Sequence, residues 1–406
     1  MSLIDELKSK ETWENFRNYK SFHSCMSNRE MRLLDEFING ERYKALGDAF
    51  TPEGFAVSTP EKRVINKSGS RKKRVVYTFT TDEMYMLKLL TWLLYKYDDR
   101  INPSCYSFRR NMTAKKAIGN ILLTPGLDGK YVLKADIHDY FNSMPSEGIV
   151  RALQRVITDD DRLLEFLTKL FSGNEAFEKA EGQEKRKVCE NRGAMAGVPV
   201  SAFIANIYLE PLDSLFESLG NGYYRYSDDI LIFADTKEEL LGYKNLLKEK
   251  TEEAGLKLNE EKTKIFEPGE GFEFLGIKYK DGETDLADAT VKKMKDKIRR
   301  KCRSLYRWRK KKDFDFDKAA KVVIRIFNMK YFDTAEMMDF TWSRWFFPVL
   351  TTDRSLKILD AYLVNELRYI HSGRHYKGNY AVTYEHLKEL GFLSLVNEYH
   401  KWKENR

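Results

Sequence analysis

Tyr226-Ser227-Asp228-Asp229 runs directly into Ile230-Leu231-Ile232-Phe233, with Tyr223 and Tyr224 just ahead of it. These flanks are rich in β-formers, so the sequence predicts two strands with Ser227-Asp228 at a tight hairpin turn between them. Adjacent carboxylates repel each other, and burying them is costly unless something cationic sits between them. A pair of divalent metals removes that cost, and two metals roughly 3.5–4 Å apart are a standard device for in-line phosphoryl transfer. A solvated Ser-Asp-Asp turn needs no metal, so the tetrapeptide alone leaves both readings open.

A second acidic site lies upstream. Lys134-Ala135-Asp136-Ile137-His138-Asp139-Tyr140-Phe141 follows the strand-like Tyr131-Val132-Leu133, giving a strand that ends in a carboxylate and turns into an aromatic pair. An acid on a neighbouring strand can bridge both metals, and hard oxygen ligands suit Mg²⁺. Between the two sites, Gly193-Ala194-Met195-Ala196-Gly197-Val198-Pro199-Val200-Ser201 leads into an apolar helix carrying Asn206. Glycine lacks a Cβ and Pro199 fixes its own φ, so Gly197 to Ser201 is expected to let its backbone be approached closely; the resemblance drawn below implies that nucleotide and template are what approach it.

This order resembles motifs A, B and C of reverse transcriptases, with YSDD as a form of their YxDD box. Gly255 to Ile265 resembles motif D, and Gly271-Phe272-Glu273-Phe274-Leu275-Gly276 resembles motif E, the primer grip. Cys105-Tyr106-Ser107-Phe108-Arg109-Arg110 through Ile118 resembles the SYGFR-type finger motif of group II intron and retron enzymes. The resemblance covers roughly residues 60 to 280 in the right order, which chance matching explains poorly.

The resemblance implies a site. Asp136, Asp228 and Asp229 would hold two Mg²⁺ (Mn²⁺ as the alternate), with Asp136 and Asp228 the indispensable ligands. The Ile137 carbonyl, rather than Asp139, would add a further oxygen. Phe141 stands where the family places the aromatic that clashes with a ribose 2′-hydroxyl, and Lys262 is placed to protonate departing pyrophosphate. A basic hairpin tip between strands at 62–66 and 74–79 would meet the triphosphate, with Lys67, Arg74 and Arg109 as contacts. The chain departs from the family in motif B, where Met195-Ala196-Gly197 replaces the usual Pro-Gln-Gly.

Downstream, Val291, Met294, Ile298, Cys302, Leu305 and Trp308 recur at helical spacing. Around that apolar face, Lys292 to Lys312 holds thirteen Lys or Arg against one acid, Asp296. Such a density of cations calls for a polyanion, so Lys292, Lys293, Lys295, Arg299, Arg300 and Arg303 are expected on a thumb helix that tracks a nucleic-acid backbone. The basic–aromatic stretch His371 to Tyr380 reads as a candidate RNA-contact loop. Trp342 to Pro348 reads as core.

The 406 residues carry a net charge of +8, which permits a polyanionic partner without requiring one. Cys25, Cys105, Cys189 and Cys302 form no CxxC pair and read as reduced cytosolic thiols. Lys88 and Lys96 interrupt the most apolar helix, so no membrane span is expected. The N-terminal stretch shows no apolar signal core, and a cytoplasmic location is expected.

The expected architecture is an α+β right-hand polymerase fold. Its parts are an N-terminal helical extension (1–60), fingers (61–130), a palm with antiparallel sheet (131–285) and a helical thumb with nucleic-acid-contacting C-terminal region (286–406). A fingers insertion is expected at about 146–192. The resemblance is closest to free-standing, defence-associated bacterial "unknown group" enzymes. It implies RNA-directed DNA synthesis from dNTPs on a dedicated non-coding RNA. The alternatives are a retron-type enzyme, whose NAxxH and VTG markers are absent, and a non-catalytic RNA-binding maturase or chaperone.

Overall fold

The computed structural model describes residues 2–23, 26–66, 73–178, 184–220, 222–332 and 341–405. Lys67 and Cys25 lie outside the described residues. The chain divides into two compact units, Met1–Phe22 with Met26–Pro268, and Gly269–Arg406.

The first unit opens with helices α1 (Leu3–Glu6), α2 (Lys10–His23), α3 (Asn28–Asn39) and α4 (Arg42–Gly47). Ser27 starts α3 with a capping box, accepting from Glu30 N–H while the Glu30 side chain accepts in return. Strands β1 (Glu61–Asn66) and β2 (Lys73–Thr78) form the expected basic hairpin, followed by α5 (Thr81–Leu93) and α6 (Ala114–Leu122). Then come β3 (Tyr131–Asp136), α7 (Tyr140–Ser143), α8 (Ser146–Val156), α9 (Asp161–Ser172), β4 (Glu175–Glu178) and β5 (Arg186–Cys189). The unit continues with α10 (Ser201–Tyr208), α11 (Glu210–Ser218), β6 (Tyr223–Tyr226), β7 (Asp229–Ala234), α12 (Lys237–Glu253) and β8 (Lys264–Phe266).

Two sheets organise this unit. The palm sheet has order β6-β7-β3-β8, every pair antiparallel. Its centre is β7, whose Ile230–Ala234 are all buried, as expected of a strand covered on both faces. The other sheet has order β2-β1-β4-β5, in which β4 runs parallel to β1. The segment after β3 therefore returns to the sheet that holds the basic hairpin. The N-terminal helices share one core with the palm, since Trp13, Phe37 and Tyr43 belong to the same buried cluster as Leu133, Ile204 and Ile230.

The second unit holds strands β9 (Phe272–Phe274), β10 (Ile277–Lys280) and β11 (Glu283–Leu286) in the order β11-β10-β9. Helices α13 (Asp288–Lys312), α14 (Phe316–Tyr331), α15 (Trp342–Phe346), α16 (Arg354–Ser372), α17 (Tyr384–Glu389) and α18 (Leu395–Glu404) follow. The division falls after Pro268. The cause is that the small sheet packs with the C-terminal helices: Thr284 N–H donates to Thr351 Oγ1 at 2.8 Å and its hydroxyl donates to Val349 O at 2.5 Å. Helix α13 buries Val291, Met294, Ile298, Cys302 and Leu305 in one stripe, while Trp308 is half-buried. Phe346 and Phe347 are buried, in keeping with a core role for that aromatic cluster. Among the described residues, no helix is long and apolar enough to cross a membrane.

Candidate active site

The two acidic sites meet in the palm sheet. Strand register places Asp136, the last residue of β3, opposite Asp229, the first of β7. Tyr226 pairs with Asp229, leaving Ser227-Asp228 as a two-residue turn. Ser227 adopts φ 60°, a left-handed conformation unfavourable for a side-chain-bearing residue. The surroundings hold it there: Ser227 N–H donates to Ser107 Oγ at 3.0 Å, and Ile137 N–H donates to Asp228 O at 3.2 Å.

Burial and mutual repulsion disfavour charge on this turn. Burial, then the nearby Asp136, raises the Asp228 pKa; Lys262 and Arg74 oppose that rise. Asp229 is pushed up to about 6, first by burial and then by Asp228. Asp136 is buried, and its carboxylate accepts from Lys262 Nζ at 2.6 and 2.7 Å and from Asn259 Nδ2 at 3.1 Å. The backbone reinforces this arrangement, because Asn259 N–H donates to Asp136 O at 2.7 Å and His138 N–H to Lys257 O at 2.8 Å.

These donors fit a hard divalent cation. They are carboxylate oxygens, they repel one another when ionised, and the balancing charge at Asp136 is a lysine amine. Among the described residues, no three Asp, Glu, His or Cys side chains stand together as a ready-made metal cage. Mg²⁺ is commonly held by one or two carboxylates plus substrate phosphates, which is the arrangement Asp136 and Asp228 offer.

The turn rests on a buried polar scaffold absent from the sequence reading. Arg225 and Asp213 are fully buried and ion-paired, with Arg225 Nε donating to Asp213 Oδ1 at 2.6 Å. The same guanidinium donates to Ala205 O, Asn206 O and Ser227 O at 3.2, 2.9 and 3.3 Å. Ser107 and Asn206 bond each other twice, Ser107 Oγ to Asn206 Oδ1 at 2.8 Å and Asn206 Nδ2 to Ser107 O at 2.7 Å. One signal for Arg225 was present: period-two alternation puts it on the same inward face as Tyr223.

The glycine-rich segment before α10 is stitched to its neighbours. Ala194 N–H donates to Phe141 O at 2.6 Å, and Tyr77 N–H donates to Ala196 O at 2.7 Å. Asn142 spans the two, its Oδ1 accepting from Ala196 N–H at 3.0 Å and its Nδ2 donating to Val75 O at 3.3 Å. Gly197 has φ 100°, and a Cβ there would lie 3.0 Å from Tyr77 O and 3.3 Å from Val76 Cβ. The close approach that demands glycine within the chain is thus to β2.

The other candidates fall as follows. Arg74 lies exposed on β2, near enough to Asp228 for its charge to count. Phe141 is half-buried, edge-on to Phe108 at 6.4 Å, and Phe108 lies 6.3 Å from Tyr226, so three aromatic rings flank the turn. Ile137 is buried directly after Asp136. Arg109 is a correction. Its guanidinium donates to the backbone oxygens of Asp98, Asn102 and Cys105 at 2.6, 2.9 and 3.1 Å and pairs with the Asp98 carboxylate, leaving its side chain 8 % exposed. It fixes the loop that carries Ser107 and is not presented to a phosphate.

On α13, Lys292, Lys293, Arg299, Arg300 and Arg303 are exposed. Three expected backbone contacts have internal partners as well. Lys295 is half-buried with its amine 5.4 Å from the Tyr362 ring, Arg303 lies 5.8 Å from that of Tyr369, and Arg299 pairs with Asp296.

Asp228 in the turn and Asp229 at the start of β7, set against Asp136 on the adjoining antiparallel strand, give the sheet the acid arrangement expected of a polymerase palm. The reverse transcriptase (RNA-dependent DNA polymerase) family model matches residues 65–279, more than half of the chain. The chain belongs to that family and carries an RNA-directed DNA polymerase domain. No curated protein sequence matches it. Among solved structures it is similar to apo telomerase from Candida tropicalis truncated from its C-terminal domain, at 13% identity and TM-score 0.45, covering 57% of this chain and 56% of that one. It is also similar to Candida albicans telomerase in complex with a fragment of telomeric RNA, at 13% identity and TM-score 0.46, covering 86% of this chain and 66% of that one. The chain thus spans about 56–66% of the length of these two telomerases.

Proposed function

We propose that this protein copies RNA into DNA from dNTPs, with Asp136 and Asp228 as the principal ligands of two Mg²⁺ and Asp229 and the Ile137 carbonyl beside them. The observation that supports this most strongly is the strand register that sets Asp136 opposite Asp229, with Asp228 in the adjoining turn and its ionisation opposed by burial and by Asp136. Bound Mg²⁺ would lower the pKa of the primer 3′-hydroxyl and steady the triphosphate. Lys262 covers the Asp136 charge, and its proposed role in the reaction is to protonate departing pyrophosphate. Arg74 offers its guanidinium to triphosphate oxygens, and the exposed cations of α13 serve the nucleic-acid backbone.

Phe141 is the steric gate against a ribose 2′-hydroxyl. Phe141→Ala should raise the efficiency of ribonucleotide incorporation by about tenfold or more relative to dNTPs, the scale set by opening or filling a pocket at one small group. Single-nucleotide addition with each substrate measures it. Unchanged discrimination would make Phe141 a packing residue.

The finer reading follows the sequence likeness to defence-associated bacterial enzymes: cDNA made from a cognate non-coding RNA, acting in the cytoplasm against phage. It is favoured over a retron-type enzyme by the missing retron markers, and over a non-catalytic RNA chaperone by retention of all three costly acids. Plaque counts on cells carrying wild-type, Asp228→Asn/Asp229→Asn or empty plasmids, the first two with native flanking DNA, test it. Protection should be lost with the acids. Full protection by the acid variant would indicate a binding role, and none by wild type against a broad phage panel would remove the defence reading.

A further inference from the structure

From Leu367 to Tyr384 the chain contains no Asp or Glu, while Arg368, Arg374 and Lys377 lie within it. In this stretch Tyr376 and Tyr380 leave 53% and 65% of their surface exposed. Each ring has an arginine against it, with guanidinium carbons 5.7 Å (Arg374 to Tyr376) and 4.8 Å (Arg368 to Tyr380) from the ring centres.

The loop is held in shape from within. Asn379 is buried, and its Nδ2 donates to Arg374 O at 2.6 Å. Asn379 N–H donates to Tyr376 O and Val382 N–H to Asn379 O, both at 3.1 Å. Arg368 Nε donates to Val382 O at 2.9 Å, which places its guanidinium for the Tyr380 ring. Gly378 packs so closely under Tyr376 that a Cβ would come 2.4 Å from the ring.

Two exposed tyrosine rings on a hydrogen-bonded loop, flanked by cations and with the adjoining Glu366 engaged by His375 at 3.3 Å, match the needs of unpaired bases on a phosphate backbone. Bases stack on aromatic rings whatever their sequence, and the cations answer the phosphates. A duplex hides its base faces, so the rings offer it little. We propose that the 374–380 loop is a second nucleic-acid site, a stacking platform for unpaired bases of a single strand, independent of the catalytic aspartates. Its role would be to hold an unpaired part of the nucleic acid outside the reaction centre.

Equilibrium binding by the full-length protein tests this with four probes: a short RNA strand of mixed sequence, the matching DNA strand, the blunt RNA duplex, and the RNA backbone with abasic sugars. Tyr376→Ala with Tyr380→Ala should weaken strand binding by about fivefold or more per ring, leave duplex and abasic binding unchanged, and leave the salt slope intact. Tyr376→Phe with Tyr380→Phe should bind like wild type, because stacking needs the ring and not the hydroxyl. Lys292→Gln, Lys293→Gln and Arg300→Gln together should instead flatten the salt slope. The tyrosine results should repeat in the Asp228→Asn/Asp229→Asn background, which separates this site from the polymerase reading. Equal losses on RNA and DNA strands would assign recognition to bases alone, and a larger loss on RNA would add the 2′-hydroxyl. Wild-type strand affinity in the alanine variant, or equal losses on duplex and abasic probes, would overturn the proposal.

Discussion

Asp228→Asn combined with Asp229→Asn should abolish primer extension and, with divalent metal chelated, yield a protein more stable than wild type. The two effects share one cause. Asparagine keeps the shape of the turn but removes the charge that would draw in metal, and metal at such a site is worth several kcal/mol in the transition state. At 1.36 kcal/mol per factor of ten, that is a loss of about a thousandfold or more in rate. In the metal-free fold the same charges are a burden, since Asp229 is pushed up to about 6 by burial and by Asp228.

A carboxyl whose folded pKa lies above its unfolded value of about 3.9 destabilises the fold once ionised. The penalty is absent below the unfolded value and complete above the folded one. Wild type in chelator should therefore melt higher at about pH 5 than at about pH 7.5, with Asp229 contributing on the order of 1 kcal/mol to that difference. The doubly substituted protein should lack this contribution, and Mg²⁺ should raise the melting temperature of wild type alone. Strong residual synthesis in Mg²⁺ would sink the two-metal assignment. A variant less stable than wild type in chelator would show that the acids do not repel each other in the turn.

Local pattern carried the sequence reading wherever one strand or helix sufficed. The apolar run after Asp229 is a buried strand, Ser227-Asp228 is the turn, and the stripe from Val291 to Leu305 is buried, because periods of two and 3.6 are written in consecutive residues. What was not legible depends on partners that only the fold brings together, whether near in sequence or far. Arg109 sits in a basic motif and looks available to phosphate, yet three backbone oxygens within eleven residues claim its guanidinium. Gly197 is a glycine because of Val76 and Tyr77, well over a hundred residues earlier. Asn142 and Asn259 are unremarkable as letters, and only the fold brings one to Ala196 and Val75 and the other to Asp136. Arg225 hid among tyrosines; its partner Asp213 is on another element, and nothing periodic links the two.

That hidden pair carries the other large effect. Asp213→Ala should cost about 3–5 kcal/mol of stability, the usual result of stranding a buried charge. Burial opposes the charge on Arg225, but Asp213 beside it outweighs that and holds the guanidinium pKa well above its ordinary value. With the carboxylate gone, Arg225 keeps only the backbone oxygens of Ala205, Asn206 and Ser227, and Tyr223 Oη loses the acceptor it holds at 2.8 Å. Against a total stability of about 5–15 kcal/mol, such a loss should show as a large drop in melting temperature. Removing both charges with Asp213→Leu and Arg225→Met should recover much of the stability, because an apolar pair of similar volume escapes the desolvation penalty. It should not recover full DNA synthesis, since the bond to Ser227 O, which steadies the turn bearing Asp228, is still missing. Melting temperature and single-turnover rate, measured on both variants, separate the two roles. An Asp213→Ala protein that melts like wild type would mean the pair is solvated, and a doubly apolar variant with wild-type rate would mean Arg225 does not position the turn.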